Sequence, residues 1–257
     1  MHESASSSSV NKCSDDTGEM EPLARKRWLA RDTPEVLRAS FARRVVLLVS
    51  LQIFLVFLCA LPWLFVTKAW MTANMWLIWF IAATTLSVLT LITCSKGTCR
   101  KWPGNLLLTL ALVVCAGSLV GAVSVRSSWR FLLFGTCNSS IVCLLMASFS
   151  FVTTREFRGS MPFIFGSMAT LSTFFLSVGF FHVFLKVDFA WPSLSRDIIC
   201  VSCFTSYLVY EIQKMLGEYG GHRNKFTVDD HMFAALNVYM DLMSVVLSLF
   251  CCVGNRV

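Results

Sequence analysis

Val45-Val46-Leu47-Leu48-Val49-Ser50-Leu51-Gln52-Ile53-Phe54-Leu55-Val56-Phe57-Leu58-Cys59-Ala60-Leu61-Pro62-Trp63-Leu64-Phe65-Val66 runs without one Asp, Glu, Lys or Arg, directly after Arg43-Arg44. A helix needs roughly 20 apolar residues to cross the ~30 Å hydrocarbon core of a bilayer, so this stretch predicts a membrane span. Six further apolar runs follow, at Met75–Cys94, Asn105–Val125, Phe131–Val152, Pro162–Leu185, Arg196–Gly217 and His231–Val253. They are continuously apolar rather than alternating, which excludes a membrane β-barrel. The expected fold is all-α: a bundle of seven transmembrane helices.

Composition agrees. Of 257 residues, 56% are hydrophobic and only 14% charged, against about 25% charged in an ordinary soluble domain. Mean hydropathy is +0.66. A soluble enzyme, a nucleic-acid-binding domain and a disordered chain are thereby excluded. The lipid bilayer is the first implied partner. Most of the eleven cysteines lie inside apolar runs, where thiols act as small hydrophobes; Cys94 and Cys99 at a helix end and in the next loop are candidates for acylation. No apolar leader resembling a signal peptide opens the chain.

The net charge of +7 is informative by position, since Lys and Arg favour the cytosolic side. Placing the N-terminus in the cytosol puts 16 basic residues there and 6 opposite, which predicts the N-terminus inside and the C-terminus in the lumen or outside the cell. Residues 1–32 read as a disordered Ser-rich and then basic cytosolic tail, and residues 33–257 as the transmembrane domain. Thr33-Pro34 reads as a helix start, and Val36–Arg44 as an amphipathic lead-in whose arginines rest on lipid headgroups.

Five of the seven runs carry no charge. In the sixth, Glu211 lies a turn deeper than Lys214. In the seventh, Asp241 lies ten residues past His231, about 15 Å along the helix and so near mid-membrane, where a carboxylate costs about 3 kcal/mol on insertion scales. Asp241 could hydrogen-bond Tyr207 or Asn237, and Glu211 could pair with Lys214 at i, i+3. A sharper alternative brings Glu211 and Asp241 together across two antiparallel neighbours, where two carboxylates in low dielectric would share a proton. Thr227-Val228-Asp229-Asp230 reads as a structural capping box, Gly117-x-x-x-Gly121 as a site of close helix approach, and His182 as a hydrogen-bonded core histidine. Zinc-dependent intramembrane hydrolysis lacks its histidines, because only His182 and His231 lie in or beside the runs; no enzyme is expected. The Asp-Arg-Tyr and Asn-Pro-x-x-Tyr stretches of G-protein-coupled receptors are also missing.

Tyr210-Glu211-Ile212-Gln213-Lys214-Met215-Leu216-Gly217 resembles the Tyr-Asp-Thr-Gln…Leu-Gly ending of the sixth helix in the transmembrane Bax-inhibitor-motif family, especially its Lifeguard branch. Phe233-Ala234-Ala235-Leu236-Asn237-Val238-Tyr239-Met240-Asp241 is similar to that family's Ala-Leu-Asn-Leu-Tyr-Leu-Asp. Cys94-Ser95-Lys96-Gly97 with Trp102–Leu107, Thr153–Phe157, and Val36–Arg44 resemble further family segments, in the same order. Two departures stand out: Glu211 replaces the family's Asp, and a short Ser-rich tail replaces a long Pro/Gly-rich one. A short divergent copy of this kind is also similar to the seven-span proteins that cytomegaloviruses encode.

The resemblance implies a pH-sensitive, calcium-permeable leak channel of intracellular membranes (endoplasmic reticulum or Golgi) that lowers stored calcium and inhibits apoptosis. It makes Glu211 and Asp241 the gate and the transient calcium ligands, with Tyr210, Gln213, Asn237 and Tyr239 as supporting polar groups. No cofactor is implied; calcium is the permeant ion. The alternative is an adaptor that acts on membrane proteins of the cell-death pathway without essential ion flux of its own.

Overall fold

The computed structural model describes residues 35–254 except 102, 127–128, 154–156, 158, 187–190, 220–225 and 228. The expected tail at 1–32, the Thr33-Pro34 helix start and the central residues of the Thr153–Phe157 segment lie outside the described residues. Helices account for almost all of the described chain: α1 (Glu35–Ala60), α2 (Lys68–Ala73), α3 (Met75–Cys94), α4 (Lys96–Cys99), α5 (Gly104–Arg126), α6 (Trp129–Val152), α7 (Met161–Leu185), α8 (Trp191–Met215) and α9 (His231–Gly254). In hydrocarbon only structures that satisfy their own backbone are tolerated, and a helix does so within one segment.

Among the described residues, five segments are long and apolar enough to cross a membrane: Glu35–Phe65, Met75–Cys94, Gly104–Val125, Phe134–Val152 and Met161–Phe184. They match the first five predicted runs. Helices α8 and α9 occupy the positions of the sixth and seventh, and α8 carries Arg196, Asp197, Glu211 and Lys214.

Local chemistry sets the ends. Pro62 converts the end of α1 into a 3-10 turn over Leu61–Phe65, since proline cannot supply the next helical donor. The Thr67 hydroxyl accepts the Trp70 N–H at 3.3 Å to start α2. Pro162 opens α7, and Lys186 closes it in a left-handed conformation (φ 50°). Asp230 does part of what the capping box predicts. Its carboxylate accepts the Thr227 N–H at 3.3 Å, and its carbonyl accepts the Ala234 N–H at 2.9 Å.

α1 is the hub, packed along α5 and α6 and also against α9. Ser50 Oγ donates to the Cys143 carbonyl at 2.7 Å, and Arg43 Nη2 to the Thr153 carbonyl at 3.0 Å, so α1 and α6 run antiparallel. Gly117 and Gly121 of α5 face Val56, Cys59 and Trp63 at the far end of α1 and beyond. The expected close approach of two helices is therefore present. At the other extreme α3 leans on α5 alone among the long helices, burying Ile81, Thr85 and Ile92 and exposing Trp76, Trp79 and Phe80.

Two expectations need correction. α1 starts at Glu35 and continues unbroken, so the lead-in does run into the first span, but its arginines do not all rest on headgroups. Arg38 falls on the same face as Phe41, Ala42, Val45 and Val49, all buried, and is itself only 4% exposed; Arg44 alone of these arginines is exposed. His182 is not in the core. It lies exposed in the last turn of α7, because the inward face of that helix is taken by Ala169, Thr170, Thr173 and Phe174.

Candidate acidic site at the end of helix α8

The last turns of α8 place two polar side chains, Glu211 and Gln213, inside the bundle. Glu211, Ile212 and Gln213 are each about 1% exposed, because α8 packs on α7, α6 and α9 together. The Glu211 carboxylate is reached by one charged side chain of its own helix: Lys214 Nζ stands 3.5 Å from Oε1. Only 2% of the Glu211 side chain is exposed, against 27% for Lys214. The Lys214 ammonium also lies over the Tyr210 ring, 5.6 Å from its centroid, within cation–π range. Local pairing of Glu211 with Lys214, one of the two alternatives open from the sequence, is thus present.

Asp241 is half-buried on α9, and α9 packs against α8. Tyr207, one turn before Glu211, connects the two acids. Its hydroxyl lies beside the Glu211 carboxylate, and Asp241 acts electrostatically on that same hydroxyl. Asn237 turns its amide back to the Phe233 carbonyl of its own helix at 2.6 Å. Tyr239 is 3% exposed and its hydroxyl has no hydrogen-bond partner among the described residues.

Gln213 and Tyr210 hold the end of α8 in place. Gln213 Nε2 donates to the Gly159 carbonyl in the α6–α7 connection at 2.8 Å, and its Oε1 accepts the Tyr219 hydroxyl at 3.2 Å. The Tyr219 ring in turn packs on Tyr210, centroids 5.2 Å apart. Sequence reasoning passed over Tyr219; the visible signal is an aromatic residue two positions after Gly217. Gly217 adopts φ +92° and Tyr219 φ +53°, which reverses the chain and folds the ring back over α8. Arg100, from the α4–α5 connection, lies over the Phe233 ring at 4.9 Å and closes the same end of the bundle from the other side.

Among the described residues, no group of three or more His, Cys, Asp or Glu could hold a metal ion.

A bundle of long apolar helices with a buried acid at one end defines a multi-pass helical membrane protein. The family described as Inhibitor of apoptosis-promoting Bax1 matches residues 38–256, nearly the whole described chain, and the protein belongs to this Bax-inhibitor family. It is similar to human Protein lifeguard 3, 20% identical over 223 residues that cover 85% of this chain and 70% of that protein. It is similar also to Protein LIFEGUARD 4 of Arabidopsis thaliana, 24% identical over 153 residues covering 58% and 57%. No solved structure matches the chain.

Proposed function

We propose that the protein is a calcium-permeable leak channel of intracellular membranes, such as the endoplasmic reticulum or Golgi, and that it restrains apoptosis by lowering stored calcium. In this reading α8 and α9 complete seven crossings, with the N-terminus cytosolic and the C-terminus lumenal. The observation that carries it is the Glu211 carboxylate, buried at the junction of α8 with its neighbours, with Asp241 within electrostatic reach of the same Tyr207 hydroxyl. A carboxylate at such depth is costly, and in membrane proteins it ordinarily marks an ion or proton path. Family membership supports the cell-death role, by the printed description of the family.

Glu211 and Asp241 would attract the cation and act as the pH-sensing gate. Gln213 and Tyr210 would hold the end of α8 in place, with Asn237 and Tyr239 as supporting polar groups on α9. The test is calcium efflux from loaded proteoliposomes at two pH values, with wild type beside Glu211→Gln and Asp241→Asn. Wild type should leak with a pH-dependent rate, and each variant should change the leak and flatten its pH response. Equal flux and equal pH response in all three proteins would reject the channel assignment. Protection of cells from death by such flux-silent protein would favour the adaptor role.

A further inference from the structure

We infer that Lys214 is a tethered counter-ion: it occupies the Glu211 carboxylate in place of a divalent cation and so sets the resting level of the leak. The inference rests on the reading of Glu211 as a cation-attracting group. Three observations carry it. Lys214 Nζ stands 3.5 Å from Glu211 Oε1, and the lysine lies between the buried acid and the surface, at 27% against 2% side-chain exposure. The Tyr210 ring under its ammonium, 5.6 Å away, holds the lysine over the carboxylate from a second side. Tyr219 packs on the Tyr210 ring and is bonded to Gln213, so the aromatic face cannot swing away without breaking a second contact.

A lysine at the C-terminal turn of α8 suits the helix dipole as well. That favourable placement alone would leave the ammonium in water; its position above Glu211 is the additional fact.

With Lys214 in place, the three charged groups Glu211, Asp241 and Lys214 sum to one negative charge when both acids are ionised. Without it they sum to two. A divalent cation is then drawn to the site more strongly, and it no longer has to displace an ammonium fixed to the same helix.

The test compares wild type, Lys214→Met, Lys214→Arg and the double variant Glu211→Gln/Lys214→Met. Two readouts are used: calcium efflux from proteoliposomes, and the calcium-dependent shift in melting temperature of the full chain in detergent. Lys214→Met should leak several-fold faster than wild type. Its melting temperature should respond to calcium at a concentration about tenfold lower, the equivalent of about 1.4 kcal/mol. Lys214→Arg keeps the cation and should behave as wild type, and the double variant should lose the calcium response. A Lys214→Met protein that folds, leaks at the wild-type rate and answers calcium like wild type overturns the inference. If no variant leaks but Lys214→Met still gains the calcium response, the counter-ion stands and the channel reading fails. If the leak depends on Glu211 and Asp241 but not on Lys214, the channel reading stands and the counter-ion fails.

Discussion

Gly117→Ala should destabilise the bundle, whereas Gly179→Ala should not. A methyl group built on Gly117 would sit 2.8 Å from the backbone oxygen of Val56 and 2.5 Å from Cys59 Cβ. Neither atom is the end of a flexible side chain, so α1 and α5 would have to move apart. At Gly179 the same methyl meets nothing within 4 Å. Both substitutions gain the same helix propensity, up to about 1 kcal/mol for Gly to Ala, so that gain cancels in the comparison. What remains is the overpacking cost at Gly117, about 1–3 kcal/mol. Taking about 2–4 °C per kcal/mol for a chain of this size, the two variants should differ by about 2–12 °C in melting temperature. Circular dichroism or a thiol-independent dye in one detergent measures it. Equal melting temperatures for Gly117→Ala and Gly179→Ala would refute the α1–α5 register, and with it the central place of α1.

Gln213→Leu should cost about 1–3 kcal/mol, because the Gly159 carbonyl and the Tyr219 hydroxyl each lose a partner; the melting temperature reads the loss, and a neutral result would show that α8 is not anchored there. Cys94 and Cys99 should separate sharply under a thiol-alkylating reagent in variants that retain only one of them. Cys94 is exposed, while Cys99 is buried with its thiol turned to the Ile92 carbonyl at 3.5 Å. Burial raises the Cys99 pKa from its ordinary value, which keeps the reactive thiolate scarce. Cys94 should label within minutes at pH 8 and Cys99 only after unfolding; equal labelling would place the α3–α4 turn elsewhere.

Much of the fold was legible because lipid imposes a coarse rule. Uninterrupted apolar runs become helices, and the first five runs reappear as helices of matching length and hydropathy. The rule fails where a helix is held by protein instead of lipid. Arg38 read as a headgroup contact because its charge outweighed its phase in the run; continuing the 100° periodicity back from Val49 and Val45 would have turned it inward. His182 read as buried because a lone histidine among aromatics suggests a core, yet the run gave no sign of which face α7 offers to its neighbours. Within the site, spacing alone allowed Glu211 to pair with Lys214 or with Asp241; the ion pair on the helix is present, and Tyr207 lies within electrostatic reach of both acids. Tyr219 lay beyond reach because its contacts depend on two left-handed backbone residues in a loop, a conformation sequence signals only weakly outside glycine.

Where the polar groups bond explains why the acid can lie at the end of α8 and not elsewhere. On α3, Thr84, Thr85, Ser87, Thr90 and Thr93 all return their hydroxyls to carbonyls of their own helix, so they ask nothing of a neighbour and can sit at the edge of the bundle. On α1, α6, α7 and α8 many hydroxyls do the same, but some polar groups reach across: Ser50 to Cys143, Ser177 to Asn138, and Gln213 to Gly159. A carboxylate has no such internal solution, because a helix offers its side chains carbonyls but hardly any free N–H. Glu211 must therefore be met by other side chains or by water; Lys214 and Tyr207 of its own helix meet it, in a stretch that α6, α7 and α9 enclose. A carboxylate facing lipid is costly, so the place of α8 in the bundle depends on the helices that enclose its acid, and parting them would expose a charged group rather than another apolar face.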